Sequence, residues 1–343
     1  MVSNSKLHRS LRLVSVFIVA SVIAVLQAGC GSALMSCKYR EGDVQKIRYS
    51  SSTENRIWVE KADGQRQQTG QNMSRNEMVM SRQVESVASD GSAVMKVTFE
   101  QVEIEFESNV GERSKQGAYK STIEKTTTNN PGEPALAGTS YKIRIAPDTT
   151  VLEIMGLEQL RKELGVSEND ELRVARLLSE ENIRLSHECD FVRYAPRSGG
   201  SGGSYEKDVK LPSGMIKAKA LKKIYTPAKD VPADKSNLIA MELSGQPLYV
   251  LPKGVEEPES PQGVFPSMIK EMSDMQELKV SGTSFFDSAT GTVLKSQEDI
   301  ECLLSLAESK VTKKFKGDAK DTGTADNEMF TSVTIKRDYS VID

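Results

Sequence analysis

The stretch from residue 92 to residue 106 alternates apolar and polar side chains, and this pattern constrains the fold more than any other feature of the 343-residue sequence. The apolar positions are odd-numbered as far as Phe99 and even-numbered from Val102. Because the side chains of a strand alternate between two faces, one extra residue at Glu100-Gln101 would restore a single apolar face. The sequence therefore predicts a long strand with a β-bulge at that point.

Turn signals separate this strand from other alternating segments. Asp90-Gly91 is typical of a tight hairpin turn, and Pro147-Asp148 stands between two short strand patterns. Residues 285–294, "FFDSATGTVL", indicate a third hairpin, with an Asp-containing turn. Residues 296–311 fit a strand or a helix, and the β-rich neighbours favour a strand.

A few short helices are predicted in the middle of the chain. Leu157, Leu160 and Leu164 have helical spacing before Gly165, a helix-ending residue. A second helix is predicted to begin near Ser167, and residues 180–187 either continue it or form a third. Four further positions have helical spacing after Pro266: Met268, Ile269, Met272 and Met275. The predicted class is mainly β (α+β), with antiparallel, twisted sheets, hairpins and a few short helices inserted mid-chain.

The clearest low-complexity segment is "RSGGSGGS", residues 197–204. A Gly/Ser-rich segment is either a flexible linker between two units or a long surface loop within one fold. The sequence divides at this point into a β-rich N-terminal half, residues 39–196, and a β-rich C-terminal half, residues 205–343.

The first 29 residues have the organisation of a secretory signal peptide. Three basic residues precede a 14-residue apolar run, residues 13–26, and small residues follow it. The run is shorter than the roughly 20 apolar residues that a membrane span needs. An uncleaved anchor is the alternative, because the next charged residue is Lys38. We expect an exported protein.

The residues "QAGC" that end this region resemble the lipobox of bacterial lipoproteins. The resemblance implies cleavage between Gly29 and Cys30, acylation of Cys30, and a lipidated tether over residues 30–38. Gln27 departs from the pattern, since lipoproteins usually have an apolar or small residue there.

Cys37 is the alternative lipidation site, because "LMSC" has the preferred Leu34 at the right distance. It lies eleven residues after the apolar run ends, and no tether would remain before the first strand. Position therefore favours Cys30. The number of cysteines favours Cys37, since its acylation would leave an even number, Cys189 and Cys302, as a candidate disulfide.

Charge argues against a nucleic-acid partner. The formal net charge is −3, and it becomes −6 when residues 1–29, with three basic residues and no acid, are removed. A mildly acidic protein has no electrostatic attraction to nucleic acid or anionic lipid. The predicted attachment to the membrane is through the N-terminal acyl chains, since each buried methylene contributes about 0.8 kcal/mol.

No catalytic or metal-binding constellation is visible. His187 is the one histidine left after signal removal, and "SHECDF" places it beside Cys189. Zinc sites need three or four convergent protein ligands, which this segment does not supply. The one match to Gly-x-Ser-x-Gly lies inside the Gly/Ser-rich run, at residues 199–203, and no other nucleophile motif accompanies His187. We therefore predict no catalytic residues, no metal, no cofactor and a non-enzymatic protein.

As a whole the chain resembles uncharacterised β-rich lipoproteins of bacterial envelopes. The resemblance rests on "YREGDVQKIRY" at 39–49, "YKIRIAPDTTVLEIMG" at 141–156 and "GTSFFDSATGTVL" at 282–294. It implies anchoring to a bacterial membrane, with the outer membrane or cell surface favoured over the inner membrane.

Three functional hypotheses follow from these features. The leading one is a non-catalytic lipoprotein that binds an envelope partner or scaffolds a complex. The second is a carrier of a lipid-like apolar ligand in a curved sheet, suggested by the long strands and the methionines after Pro266. The third is a hydrolase that depends on His187.

Overall fold

Antiparallel strands dominate the fold, as the sequence predicts. The computed structural model describes residues 36–61, 63–110, 113–128, 132–166, 173–189, 204–210, 220–228, 238–248, 274–307 and 328–342. Within these ranges, thirteen strands belong to one sheet and three short helices lie between β7 and β8. The protein is therefore mainly β.

The elements are numbered in chain order. The strands are β1 (Val44–Glu60), β2 (Arg66–Val87), β3 (Ala93–Val110), β4 (Arg113–Thr122), β5 (Thr126–Thr128), β6 (Ser140–Ile145), β7 (Val151–Met155), β8 (Tyr205–Lys210), β9 (Ala220–Pro227), β10 (Leu238–Leu248), β11 (Asp274–Asp287), β12 (Thr292–Ala307) and β13 (Glu328–Ile342). The helices are α1 (Leu157–Leu164), α2 (Arg173–Leu177) and α3 (Glu180–His187).

The sheet joins the two ends of the described chain. Its order is β5-β4-β3-β2-β1-β13-β12-β11-β10-β9-β8, with β6 beside the first half of β3 and β7 beside β6. Strands β1 and β13 pair in antiparallel register, with Tyr49 opposite Tyr339. Strands from both predicted halves thus share one sheet, while residues 197–203 of the predicted boundary lie outside the described residues.

The predicted bulge in β3 is confirmed. Val79 of β2 pairs with Gln101, whereas the next residue, Met80, pairs with Phe99. Glu100 is therefore the extra residue, and it allows Phe99 and Val102 both to be fully buried. The extra residue keeps the apolar side chains on one face of the strand, although they change from odd-numbered to even-numbered positions.

The three predicted hairpins are also confirmed. They join β2 to β3, β6 to β7, and β11 to β12. Gly91 has φ +82° in the first turn, a left-handed conformation that glycine adopts without steric cost. The strands are longer than the turn signals alone indicate, since β2 has 22 residues and β3 has 18.

The mid-chain helices are short and separately capped. α1 ends at Gly165, which is left-handed with φ 68°, as the sequence predicts. Residues 180–187 form a helix of their own, because the Ser179 side chain accepts a hydrogen bond from the Asn182 amide and begins α3. Ser167, the predicted start of the second helix, lies outside the described residues.

The sheet curves towards the face that carries the core. Lys223 on β9 and Glu298 on β12 form an ion pair at 2.7 Å although β10 and β11 lie between their strands. Three strand spacings in a flat sheet measure about 14 Å, too far for these side chains to meet. The concave face holds strand residues such as Ile47, Met80 and Ile300, together with Leu160 and Ile183 of the helices.

Two other predictions have definite outcomes. The strand interpretation of residues 296–311 is confirmed as far as Ala307, where β12 ends, and the remainder lies outside the described residues. The helix predicted after Pro266 is wrong at Met275, because this residue belongs to strand β11. Residues 266–272 of that segment lie outside the described residues. No helix among the residues described has the length and apolarity to span a membrane.

Candidate ligand-binding cavity

A cavity of about 590 Å³ opens at one end of the curved sheet. It lies where β1, β3 and β12 begin and where β2, β11, β13 and α3 end. Its volume falls within the range of small-molecule sites, about 300–1,000 Å³. The apolar part of its lining includes Val84, Met95, Val293 and Val341.

The segment Cys37–Tyr39 forms one side of the cavity and connects two hairpins. The Cys37 amide donates to the carbonyl oxygen of Pro147 at 2.7 Å, in the β6–β7 turn. The Lys38 amide donates to the carbonyl oxygen of Gly291 at 3.2 Å, in the β11–β12 turn. The Tyr39 hydroxyl donates to the carbonyl oxygen of Ala146 at 3.2 Å. The first described residues are thus part of the cavity wall.

Arg82 lies deep in the cavity, on strand β2, and is 7% exposed. Its Nη2 donates hydrogen bonds to Gln45 Oε1 and to the Tyr339 hydroxyl. Its Nε is buried and has no hydrogen-bond partner among the described residues. No carboxylate in the described ranges forms an ion pair with Arg82, so its charge is buried without a counter-ion from those residues.

His187, the last residue of α3, is 1% exposed and also lines the cavity. Its Nε2 lies 2.7 Å from the Tyr141 hydroxyl, and its Nδ1 has no partner within the described chain. Burial, and then the nearby Arg82 charge, lower the pKa of His187 well below its usual value. The imidazole is therefore neutral at pH 7, with one donor and one acceptor nitrogen.

Thr149 and Cys189 hold the end of α3 against the β6–β7 turn. The Thr149 Oγ1 donates to the Cys189 carbonyl at 3.0 Å and accepts from the Cys189 amide at 2.9 Å. Thr149 has φ 65°, a left-handed conformation that a β-branched residue rarely adopts. Backbone conformations of this kind are found where a site constrains the chain.

The candidate disulfide between Cys189 and Cys302 is absent. Both residues are thiols in the structure, as is Cys37. Cys189 follows α3 and lines the cavity, whereas Cys302 lies on β12 between Leu278 and Val333 in the register of the sheet. Burial raises the pKa of Cys302 to about 12, so it is a protonated, buried thiol at neutral pH.

The mouth of the cavity is partly apolar. Val44 and Leu294 are 65% and 38% exposed, and both line the cavity. The two lysines of the lining have carboxylates nearby: Lys46 pairs with Glu100 at 2.5 Å, and Lys38 interacts electrostatically with Asp287. The rim thus combines exposed apolar side chains with balanced charges.

A partly buried cation, Arg337, has a different environment. Arg337 of β13 lies 3.4 Å from the carboxylate of Glu298, which also pairs with Lys223 at 2.7 Å. These side chains line a separate cavity of about 70 Å³. Buried charges usually occur in such compensated groups. The contrast makes Arg82 the more unusual residue.

The structure brings together some predicted site residues and adds others. Cys37, His187 and Cys189 all line the cavity, whereas Cys30 lies outside the described residues. His187 contacts a tyrosine hydroxyl, and the described residues give it no hydrogen bond to a serine. No group of three or more metal-ligating side chains is found in the described part of the chain.

Arg82 was not predicted from the sequence. It occupies the buried parity of β2, after Met78 and Met80, and Gln45 lies opposite it on β1. An arginine on the apolar parity of a strand is the sequence signal that could have identified it.

The sequence matches no protein-family model and no curated protein. Among solved structures, the chain is similar to lipovitellin, in a structure that concerns its lipid–protein interactions: identity is 7%, TM-score 0.44, and coverage 89% of this chain and 25% of lipovitellin. The chain therefore spans a quarter of the lipovitellin chain. The chain is also similar to Pseudomonas aeruginosa OccK7 (OpdD), with 6% identity and a TM-score of 0.18. The match covers 88% of this chain and 100% of the OccK7 chain. Both TM-scores are below 0.5, so neither similarity contributes to the functional argument.

Proposed function

We propose that the protein is an exported, lipid-anchored carrier that holds a lipid-like, partly apolar ligand in the 590 Å³ cavity. The observation that carries this proposal is the cavity itself, with its partly apolar lining and its exposed apolar mouth at Val44 and Leu294. Concave, largely pre-formed sites of this size are typical of small-molecule binding.

The position of Cys37 supports anchoring through Cys30. Cys37 is built into the cavity wall, its amide donates to Pro147, and burial raises the pKa of its thiol. A diacylglyceryl group on that sulfur would have to fill the cavity or displace the segment. Cys30 precedes Cys37 by seven residues, which span at most about 25 Å when extended. An anchor on Cys30 would therefore keep the cavity close to the membrane from which it takes an apolar ligand.

The anchor is tested by mass spectrometry of the mature amino terminus. We expect a diacylglyceryl-modified Cys30 in the wild type and in Cys37→Ala, and loss of acylation and of membrane fractionation in Cys30→Ala. A lipid on Cys37 would contradict the proposed anchor, although it would leave the binding function open to its own test.

Ligand binding is tested by native mass spectrometry after exposure of the purified protein to phosphatidylethanolamine–phosphatidylglycerol vesicles that contain dodecanoate and dodecanol. We expect a bound amphiphile in the wild type. Val341→Trp, which fills the cavity, should lose it, whereas Val87→Trp, at an exposed position away from the cavity, should retain it. An empty wild-type protein would rule out the carrier function.

The partner-binding or scaffolding role stays a prediction from the sequence. It is compatible with a carrier, since a carrier at a membrane must deliver its ligand.

A further inference from the structure

We infer that the ligand is a single-chain carboxylic acid that enters head first and places its carboxylate against Arg82. The inference rests on the proposed carrier function and specifies the chemical class of its ligand. Its starting point is the charge of Arg82, which is buried at the inner end of the cavity.

Three other cations with little exposure have carboxylate neighbours. Arg161 contacts Glu158, Lys223 lies 2.7 Å from Glu298, and Arg337 lies 3.4 Å from the same carboxylate. Arg82 has only neutral acceptors in the described residues, the Gln45 amide and the Tyr339 hydroxyl. A desolvated cation without a counter-ion costs several kcal/mol, and an anionic ligand would offset that cost.

The donors around Arg82 match a carboxylate. Both hydrogen bonds from Arg82 use Nη2, and the buried Nε has no hydrogen-bond partner among the described residues, so the guanidinium, whose residue lines the cavity, keeps unused donors. The Tyr339 hydroxyl accepts from Arg82, and its proton has no acceptor among the residues described. An arginine and a phenol can together donate to the two oxygens of one carboxylate. His187 lines the same cavity, and its buried Nδ1 has no hydrogen-bond partner among the described residues.

The charge balance favours a singly charged head group. Lys46 is already paired with Glu100, Lys38 lies near Asp287 at the rim, and Asp43 adds a further carboxylate to the lining. Arg82 is therefore the one cation of the lining without a carboxylate partner among the described residues, and the cavity has no surplus of positive charge for a second anionic group. A phosphate monoester would bring about two negative charges at pH 7. A carboxylate brings one.

The mouth determines the orientation. Exposed Val44 and Leu294 lie at the rim, whereas Arg82 is buried inside. An amphiphile that enters with its carboxylate first can pair its charge with Arg82 and leave its chain against the apolar rim. The reverse orientation would bury the chain beside an unpaired guanidinium.

The test compares three probes by calorimetric titration of the purified protein: dodecanoate, dodecanol and butyrate. We expect dodecanoate to bind at least about tenfold more tightly than dodecanol, since its carboxylate can accept charge-assisted hydrogen bonds from Arg82 that a neutral hydroxyl cannot match. Butyrate should bind at least about tenfold more weakly than dodecanoate, because it lacks the chain. Arg82→Gln should reduce dodecanoate affinity to the level of dodecanol.

Tyr339→Phe provides a second variant that keeps the aromatic ring and removes one donor. We expect it to weaken dodecanoate binding about three- to tenfold and to leave dodecanol binding unchanged. Val87→Trp serves as the control at an exposed site.

Equal affinity for dodecanoate and dodecanol, with no effect of either variant, would overturn the inference and leave the carrier function intact. Butyrate binding as tightly as dodecanoate would overturn both, because the site would then recognise a small anion. Failure of all three probes to bind would remove the proposed function and the inference with it.

Discussion

Arg82 donates a hydrogen bond to the hydroxyl of Tyr339, a residue 257 positions away in the sequence. The two side chains come from β2 and β13, which flank β1 on opposite sides. The guanidinium carbon also lies 5.7 Å from the centroid of the Tyr339 ring. This contact marks the inner end of the cavity and depends on the pairing of the first and last described strands.

Arg82 should contribute little to stability if its role is to bind a ligand. We expect the free energy of unfolding of Arg82→Met to be no more than about 1 kcal/mol below the wild type, because removal of an uncompensated buried charge offsets the lost hydrogen bonds. Arg337→Met is the matched control and should cost about 1.5–3 kcal/mol, since it removes a charge-assisted hydrogen bond from Glu298, which keeps its ion pair with Lys223. Urea titration measures both. A larger loss in Arg82→Met than in Arg337→Met would indicate a structural arginine.

The bulge at Glu100 should be essential to the register of β3. Deletion of Glu100 would turn Val102 and Ile104, both buried, towards the other face of the sheet. We expect a loss of more than about 3 kcal/mol, since each exposed side chain costs about 1.5–3 kcal/mol.

Glu100→Ala separates the effect of the bulge from that of the side chain. It removes only the partly exposed ion pair with Lys46 and should cost less than about 1 kcal/mol. Equal effects of the deletion and the substitution, measured by urea titration, would show that the extra residue is not needed.

Gly117 allows the ring of Phe106 to pack across the β3–β4 pair. A Cβ at position 117 would lie 2.0 Å from the Phe106 ring and 2.6 Å from the Arg173 guanidinium, which stacks on the same ring. We expect Gly117→Ala to cost about 1–3 kcal/mol through overpacking. In the double variant with Phe106→Ala the shorter of these two contacts disappears, so the two effects should not add. Additive effects by thermal denaturation would contradict the proposed packing.

His187 should make the stability depend on pH. Its pKa is well below 6.5 in the folded protein, so the unfolded chain binds a proton that the folded chain does not as the pH falls through about 6.5. Stability therefore rises with pH in this window.

His187→Gln should remove this contribution. Relative to that variant, the wild type should lose about 1 kcal/mol of unfolding free energy between pH 6.5 and pH 5.5. The measurement is urea unfolding of both proteins at each pH. A difference that does not change with pH would indicate that His187 has the same pKa in the folded and unfolded states, and a difference of the opposite sign would indicate a raised pKa in the folded state.

Local patterns were sufficient to predict much of the sheet. Alternation located β3 and its bulge, and Asp90-Gly91 located the hairpin before it, because side-chain parity and turn conformation are properties of neighbouring residues. The same reasoning predicts a helix from Pro266 to Met275, but Met275 lies in strand β11. Short apolar spacings fit both periods, and pairing with β12 decides between them.

The sequence alone was enough to predict a mainly β chain with its hairpins and its bulge. It also predicts export and acylation at Cys30. The tertiary structure decided the order of the strands, the pairing of β1 with β13, and the meeting of Arg82, Tyr339, His187 and Cys37 around one cavity. In it Cys189 and Cys302 are thiols, although acylation of Cys37 would have left them as a candidate disulfide. The reason is physical. Periodicity shows which face of a strand a residue occupies, whereas its neighbours on that face depend on which strands pair, and paired strands can be hundreds of residues apart in the sequence.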